Sequence, residues 1–445
     1  MANILISHFS PIQHEGKFTS GCFFEALAKG FQDCGHNVKQ MISTRFLPKS
    51  WNGNNQLHDH IDRERLKKDI LDFAPDLCIF GNNSVPEVAY EATDCPVVLL
   101  LSDTVSFFND KDKILARAYG DRLFFYAPFQ RDLDEIDALF GKHAGKVLHL
   151  LPATGVQAEN IPFEHNISFI GSNFQNDKSL GQLIRDFPDQ RRMQQILEIL
   201  RRDTSSLSFL SEAEKQFIGE RFPLDHFPFV FSARDRLLCL TLLSEEGLSL
   251  FGSPTWHEAA QHFPDVAAAF HPRTVYSLQH NQDIYNASKV CLSVSHTQAQ
   301  DGFPWRIMDI MASNGCLLSD RKSGLANFTK GHVDLPVYDS PAEAHALAQR
   351  LLKDEAWRQD LVAGAQACIA EKGLWKHRFR DMQEIIGIPL LLPPGTAKGS
   401  LTHIQGEDYV IPSLYHSASS QPRRHPWWRR KSIKIAKKII KKLDH

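Results

Sequence analysis

Two aspartates, Asp301 and Asp309, stand eight residues apart and form the spacing in this sequence that best suits chemistry. Asp301 lies in a polar segment that follows an apolar run. Asp309 lies in a run that begins at Pro304, a residue favoured in a first helical turn, and ends near Gly315, which is typical of a helix end. Helices that start at the carboxyl ends of strands often face ligands. We therefore predict a strand, loop and helix that present two carboxylates to a cleft, although ordinary surface acids also fit this spacing.

Apolar runs that alternate with helical patterns must position these acids. Such runs predict about six strands with helices between them in the first half, and a second series that begins at 167–171. The run 97–101 is apolar throughout, as in a strand that is buried on both faces. The predicted fold class is α/β, with two Rossmann-like, doubly wound domains facing a cleft. The predicted boundaries are a first domain at 1–160, a second domain at 161–390, a loop-like linker at 391–422 and a basic tail at 423–445.

Composition is that of an ordinary globular protein, with 42% hydrophobic and 23% charged residues in 445. The eight cysteines form no C-x-x-C pair, and several lie in apolar runs, so they are expected to be reduced and buried. No apolar run approaches the ~20 residues of a bilayer-spanning helix. The N-terminal residues show no basic segment followed by a cleavage site. We therefore expect a cytosolic protein.

The tail has a charge pattern of its own. From Gln421 onward there are ten Lys and Arg residues against Asp444, so this stretch carries +9 and the rest of the chain −11. Trp427 and Trp428 precede a helical pattern that separates apolar from lysine positions. A Trp pair beside such a helix is typical of a segment that lies on an anionic membrane surface. Alternatives are a helix docked on the acidic body or a solvated tail, and nothing else in the chain supports nucleic acid binding.

The segment 301–315 resembles a motif of retaining GT-B glycosyltransferases. That motif has an acid followed by Gly-Phe, a second acid eight residues after the first, and then Met-Ala shortly before a glycine. Here these positions are Asp301-Gly302-Phe303, Asp309, Met311-Ala312 and Gly315. Both glutamates of that motif are aspartates here. With Arg306 three residues before the second acid, the sequence is similar to the glycosyltransferases related to spore maturation proteins. The likeness covers roughly 165–385.

This resemblance implies a nucleoside diphosphate sugar bound mainly by the second domain. Asp309 would bind the ribose hydroxyls, while Asp301, with Gly302 and Phe303, would contact the donor sugar or its loop. The loop that contains Tyr276 would contact the base.

The diphosphate requires cations, because no D-x-D metal motif stands in a suitable loop. Arg306 is the first candidate, Lys178 the second and Arg234 the weakest, with His296 as a further residue near the reaction. Each has a structural alternative: Asp309 as a first-turn helix acid, Arg306 as the buried partner of an acid, Lys178 as a solvated lysine and His296 as a packed histidine.

The predicted activity is transfer of a hexose-type sugar to a saccharide, including one carried on lipid, in bacterial surface polysaccharide or lipopolysaccharide synthesis. The resemblance implies retention of anomeric configuration, with no metal and no cofactor, at the cytoplasmic face of the membrane. Two alternatives remain. One is a nucleotide-sugar epimerase, which shares the fold, and the other is a non-catalytic scaffold that binds glycans or partners.

Overall fold

The structure is a computed structural model. It describes 1–8, 13–14, 17–42, 61–82, 86–101, 120–140, 146–173, 179–202, 209–222, 224–252, 254–272, 275, 277–297, 299 and 301–411. Within these ranges the chain forms two parallel β-sheets, each with helices packed on it, and a two-stranded ribbon.

The first half of the chain builds the larger sheet. The separate two-stranded ribbon consists of β2 (Gln13–His14) and β3 (Lys17–Phe18). The strands that this half contributes to the larger sheet are β1 (Asn3–His8), β4 (Asn37–Ile42), β5 (Leu77–Gly81), β6 (Val97–Leu100), β7 (Leu123–Ala127) and β8 (Val147–His149). Its helices are α1 (Cys22–Asp33), α2 (Arg63–Phe73), α3 (Glu87–Ala92) and α4 (Gln130–Phe140), with a 3-10 turn at Gly120–Arg122. All four residues of β6 are buried, as its unbroken apolar sequence predicts. The six predicted strands are confirmed.

The second half builds a five-stranded sheet. Its strands are β9 (His165–Gly171), β10 (Leu248–Gly252), β11 (Ser288–Ser293), β12 (Cys316–Asp320) and β13 (Val337–Tyr338), in the spatial order β10-β9-β11-β12-β13. Its helices are α5 (Ser179–Asp186), α6 (Gln190–Arg202), α7 (Glu212–Gly219), α8 (Phe227–Leu243), α9 (Pro264–Ala268), α10 (Leu278–Asn286), α11 (Arg306–Ala312), α12 (Ser323–Thr329), α13 (Pro341–Lys353) and α14 (Glu355–Lys372). A 3-10 turn at Ser244–Glu246 and another at Pro254–Gln261 flank β10.

Helices α5 to α7 form an insertion between β9 and α8, together with a 3-10 turn at Leu224–His226. The insertion has an apolar cluster of its own that includes Leu183, Ile196 and Phe222. The chain breaks between α5 and α6 around Pro188, a residue that removes a backbone donor.

The chain returns to the first sheet after the second domain. Helix α15 (Trp375–Ile386) packs on α1, where the Phe31 and Phe379 rings stack with centroids 3.9 Å apart. Strand β14 (Leu401–Gln405) then pairs in parallel with β4, which gives the first sheet the order β14-β4-β1-β5-β6-β7-β8. A short 3-10 turn at Gly406–Tyr409 follows it.

The interpretation of 391–422 as a loop-like linker is therefore wrong for β14. The strand's hydrogen bonds come from β4, and Ile404 is buried under α2 while its neighbours stay partly exposed. The stretch after β14 packs on the first domain, where the Tyr409 hydroxyl donates to Asp69 at 2.6 Å.

The predicted tail at 423–445 lies outside the described residues. Within the described ranges, no helix combines the length and the apolar composition that a bilayer span requires. All eight cysteines are free thiols.

Candidate active site

The carboxyl ends of the two parallel sheets meet where β11 passes through the acid-bearing loop into α11. In open α/β sheets this edge is where ligands bind. Contacts cross between the domains here: the Leu278 N–H donates to Glu25 at 2.7 Å, and the Gln130 N–H donates to the Asp301 carboxylate at 2.8 Å. The two predicted acids thus lie at one boundary between the two sheets.

Asp309 is almost completely buried, with 3% of its surface exposed. Its carboxylate accepts a hydrogen bond from the Thr154 hydroxyl at 2.5 Å and one from the Asn281 amide at 3.4 Å. Burial raises the pKa of Asp309 to about 7, while these two hydrogen bonds and the nearby Arg306 act in the opposite direction. A carboxylate held this way is costly to ionise and ready to accept a further donor.

Asn281 supplies a second acceptor beside Asp309. This side chain is 1% exposed, and in the described part of the chain no donor reaches its amide oxygen. Buried amide oxygens almost always accept a hydrogen bond. Asp309 and Asn281 therefore form a buried pair of acceptors with capacity for hydroxyl donors.

Asp301 behaves differently, because it is partly exposed and joins the two domains. Its carboxylate accepts from the N-terminal residue of α4, and its backbone carbonyl accepts from the Gly324 N–H at 2.8 Å. The adjacent Gly302 is buried against the first domain, since a Cβ there would lie 2.4 Å from the Phe129 ring. A side chain at 302 would push the domains apart.

Phe303 is packed in the core rather than exposed to a ligand. It is 1% exposed and belongs to the apolar cluster that joins the two domains, with its ring 5.9 Å from that of Phe328. Its packing anchors the loop that carries Asp301.

Two arginines flank the Phe169 ring on β9. The guanidinium of Arg306 lies 5.7 Å from the ring centroid and that of Arg236 lies 5.6 Å from it. Arg306 donates to the Ile170 carbonyl at 3.0 Å, and Arg236 donates to the carbonyls of Ser172 and Val294. Burial lowers the pKa of both guanidiniums.

This pair places positive charge at the carboxyl ends of β9 and β11. Arg306 is half-buried, whereas Arg236 is 2% exposed, so Arg306 is the cation that a ligand reaches more easily. Close backbone packing shapes the same edge, because Gly252 has φ +116° and a Cβ there would lie 2.4 Å from the Gly171 carbonyl oxygen.

The remaining predicted residues divide into described and undescribed positions. Arg234 is exposed and pairs with Asp235 at 2.8 Å, on the same helix as the buried Arg236. His296 is half-buried, and its ring packs with its centroid 4.8 Å from that of Phe229.

Lys178 and Tyr276 lie outside the described residues, so their predicted contacts stay predictions.

Four residues at this edge were missed by the sequence reasoning. Arg236 had a readable signal, because it shares a helical face with Ala233 and Leu240, both buried. Thr154 and Asn281 carried none, since their role depends on a contact with Asp309 across many residues. Asp320, which ends β12 and accepts from the Ser295 hydroxyl and N–H, likewise looked like an ordinary strand-end acid.

The first domain contributes packed residues to this boundary. His8 ends β1, is 1% exposed and stacks on Phe24 with ring centroids 4.1 Å apart. Phe129 meets Gly302. Among the described residues, no cluster of three or more His, Cys, Asp or Glu side chains could hold a metal ion. Metal-independent transfer stays a prediction.

The match to a protein family model lies in the second domain. Residues 234–384 match a family model described as "Glycosyl transferase-like", which spans about a third of the chain and includes Arg236, Asp301, Arg306 and Asp309. A search among curated proteins gives no match.

Solved structures show the fold. Sucrose-phosphate synthase from Thermosynechococcus elongatus superposes with a TM-score of 0.51 at 11% identity, over 86% of this chain and 98% of that chain. HepE from Anabaena, solved with UDP and glucose, gives 0.44 at 12% identity over 87% and 100%, and a glycosyltransferase from Rickettsia africae ESF-5 gives 0.43 at 10% over 86% and 97%. These last two scores are too low to carry an argument. The chain has the GT-B fold, with two Rossmann-like domains, and 234–384 is the part similar to glycosyl transferases.

Proposed function

We propose that this protein is a glycosyltransferase of the hexosyltransferase type. It moves a sugar from a nucleoside diphosphate sugar to a saccharide acceptor, including one carried on lipid, in bacterial surface polysaccharide synthesis. The observation that carries the proposal is the buried acceptor pair Asp309 and Asn281, one helical turn from the half-buried Arg306, at the boundary between the two sheets. The family match over the same residues supports it.

The ribose of the donor is the natural partner of Asp309. A carboxylate accepts two hydrogen bonds from a diol, and the amide oxygen of Asn281 adds a third acceptor. Asp309 is 3% exposed, so a ribose hydroxyl reaches its carboxylate only when a neighbouring group moves, and we propose that the Thr154 hydroxyl, which now donates to the carboxylate, is the group displaced. Donor binding then requires a local movement of the segment between the domains, and this couples nucleotide binding to domain closure.

The diphosphate of the donor lies next to Arg306. A leaving nucleoside diphosphate gains negative charge as the glycosidic bond breaks, and a preorganised guanidinium stabilises that charge without reorganisation. Arg236 acts behind it as a positioning residue, since its hydrogen bonds to Ser172 and Val294 hold the two strand ends. Charge stabilisation by arginines makes the transfer independent of a metal ion.

Asp301 and Gly302 bring the donor sugar against the first domain. Their contacts with Gln130 and Phe129 close the boundary from that side. The position of Asp301 in the motif, together with retention of anomeric configuration, follows from the resemblance to the retaining GT-B enzymes related to spore maturation proteins. Analysis of the product anomer by NMR tests retention, and an inverted product contradicts it.

A thermal-shift screen with nucleoside diphosphates and their sugars tests the function. A ligand that binds the native state alone raises the melting temperature with its affinity. We expect one nucleoside diphosphate and its sugar to raise it, followed by release of that nucleoside diphosphate when a saccharide acceptor is added. Conversion of the sugar nucleotide without an acceptor indicates an epimerase instead, and binding without turnover of any acceptor favours the scaffold.

The tail at 423–445 is proposed to hold the enzyme at an anionic membrane surface, on the strength of its charge pattern alone. Deleting 423–445 should release the protein from vesicles that contain anionic lipid in a sedimentation assay. A matched control changes the tail lysines to glutamine and keeps the apolar positions. Unchanged pelleting of both variants contradicts the anchor.

A further inference from the structure

Two thiols lie in contact at the amino end of the first sheet. The Cys78 and Cys95 sulfurs are 3.5 Å apart, with Cys78 on β5 and Cys95 two residues before β6. The two backbones are neighbours, because the Cys78 N–H donates to the Pro96 carbonyl at 3.0 Å. A disulfide needs the sulfurs about 2.05 Å apart, so both side chains must rotate to bring the sulfurs together.

Access to the two sulfurs is unequal. Cys78 is completely buried, whereas Cys95 is partly exposed. Cys95 lines an open cavity of ≈ 470 Å³ together with Asp76 and Pro389. A small oxidant therefore reaches Cys95 first, and Cys78 only through Cys95.

The surroundings make Cys95 the more reactive thiol. The pKa of Cys95 is lowered by the hydrogen bond from Cys78, and further by Thr93 and the charge of Arg122, against the effect of burial. Arg122 is held in place by its hydrogen bond to the Tyr90 carbonyl at 3.0 Å. The same sulfur contact, together with burial, raises the pKa of Cys78. A lowered pKa favours the thiolate that attacks an oxidant, and the sulfur contact places Cys78 next to the oxidised sulfur that it would resolve.

We propose that Cys78 and Cys95 form a reversible oxidation site that a hydroperoxide converts to a disulfide. The Cys95 thiolate attacks the distal oxygen of the hydroperoxide, the O–O bond breaks, and an alcohol leaves. The resulting sulfenic acid is attacked by Cys78, the S–S bond forms, and the Cys78 proton leaves with the hydroxide as water. Two thiols and one hydroperoxide thus give one disulfide, one alcohol or water, and one water.

The site stands apart from the proposed transferase chemistry. Cys78 and Cys95 lie at the amino ends of β5 and β6, opposite the carboxyl ends that face the second domain. The bond links β5 covalently to the segment that enters β6. We expect oxidation to raise the melting temperature of the protein and to leave nucleotide binding unchanged.

Peptide mapping after treatment with hydrogen peroxide tests the proposal on the full-length protein. Glu87 and Glu91 lie between the two cysteines, so a protease that cleaves after glutamate separates their peptides unless a disulfide joins them. We expect the joined peptide, and its loss on reduction with dithiothreitol. Cys34 is the internal control, because it is also partly exposed and burial raises the pKa of its thiol. Oxidation of Cys34 before any Cys78–Cys95 peptide forms overturns the proposal.

The variant Cys78→Ser separates the two steps, because its hydroxyl can still donate a hydrogen bond to Cys95 but cannot form a disulfide. Without a resolving thiol, Cys95 should accumulate sulfenic acid that dimedone labels, several-fold more than in the wild-type protein. Equal labelling of both proteins shows that Cys78 does not resolve the sulfenic acid and overturns the proposal. If this variant fails to fold, the wild-type mapping decides the question alone.

Discussion

The carboxyl ends of the two sheets differ in what they bury. In the described residues of the first domain, this edge carries packed rings such as His8 on Phe24 and Phe129 on Gly302. In the second domain it buries charge, with Arg236 at 2% and Asp309 at 3% exposure. Buried charges cost free energy, so a chain retains them where they act or hold something that acts. This difference supports the proposal that the second domain binds the charged donor while the first domain covers it.

The largest expected effect is the loss of folding stability when the buried Asp309 carboxyl ionises. Its folded-state pKa of about 7 lies above the ordinary value of 3.8, so the native state holds its proton more tightly than the unfolded state. The stabilising contribution of the protonated form is complete below about pH 4 and is lost as pH rises through about 7. A pKa difference of roughly three between the folded and unfolded states corresponds to a change of at most about 4 kcal/mol in the free energy of unfolding.

Urea unfolding of the wild type and of Asp309→Asn from pH 4 to pH 8 measures this loss. The wild type should become less stable relative to the variant as pH rises. If the difference in unfolding free energy between the two proteins does not change with pH, burial of Asp309 does not disfavour its ionised form. The second sheet then buries no costly charge at this position.

Asp309→Asn also tests donor binding. The amide keeps the size of the side chain but removes a charged acceptor, and hydrogen bonds to charged groups are worth about 1.5–3 kcal/mol each. We expect the affinity for the nucleoside diphosphate found in the screen to fall about 100-fold by calorimetry. Asp265→Asn, on the exposed surface of α9, is the matched control and should bind as wild type. Wild-type affinity in Asp309→Asn contradicts the ribose contact.

Arg306→Gln should separate phosphate recognition from nucleoside recognition. Loss of one charge-assisted contact weakens nucleoside diphosphate binding by about 30-fold and leaves the nucleoside itself nearly unaffected. Arg234→Gln, which breaks only an exposed ion pair, should have a much smaller effect. If the two variants lose equal affinity, or if Arg306→Gln weakens the nucleoside equally, Arg306 does not bind the diphosphate.

Asp301→Asn has the smallest expected effect on binding and acts on turnover. The Asp301 carboxylate accepts from the Gln130 N–H across the boundary, and the uncharged amide oxygen of asparagine accepts more weakly, so the change should lower kcat about tenfold and alter nucleoside diphosphate affinity little. Asp339→Asn, an exposed acid that pairs with Arg321, serves as the control. A large loss of affinity with unchanged kcat reverses the roles assigned to the two acids.

Much of the fold was predictable because its signals are local. The apolar run at 97–101 predicted a buried strand, and the structure has the buried strand β6 there. Strand β14 was missed because its sequence is short, mixed and surrounded by Gly, Ser and Thr, and because its partner β4 lies more than 350 residues away. Pairing across such a distance leaves no pattern in either segment.

Part of the candidate site was also predictable, because part of its signal lies within one short segment. The motif with Asp301 and Asp309 is local, and both acids lie at the boundary between the sheets. The burial of Asp309 was not predictable, because it depends on Thr154 in the segment between the domains. Arg236 was readable from helical periodicity, but a charged residue on a buried face looks like an exception until the strand ends that it holds are known.

A crystal structure of the protein with the nucleoside diphosphate that raises its melting temperature tests the central claim most directly. We predict that the ribose hydroxyls lie within hydrogen-bond distance of the Asp309 carboxylate, with the Thr154 hydroxyl displaced, and that the diphosphate lies next to Arg306. A nucleotide bound at the first sheet alone, or one that leaves the Thr154 to Asp309 hydrogen bond intact, would contradict it.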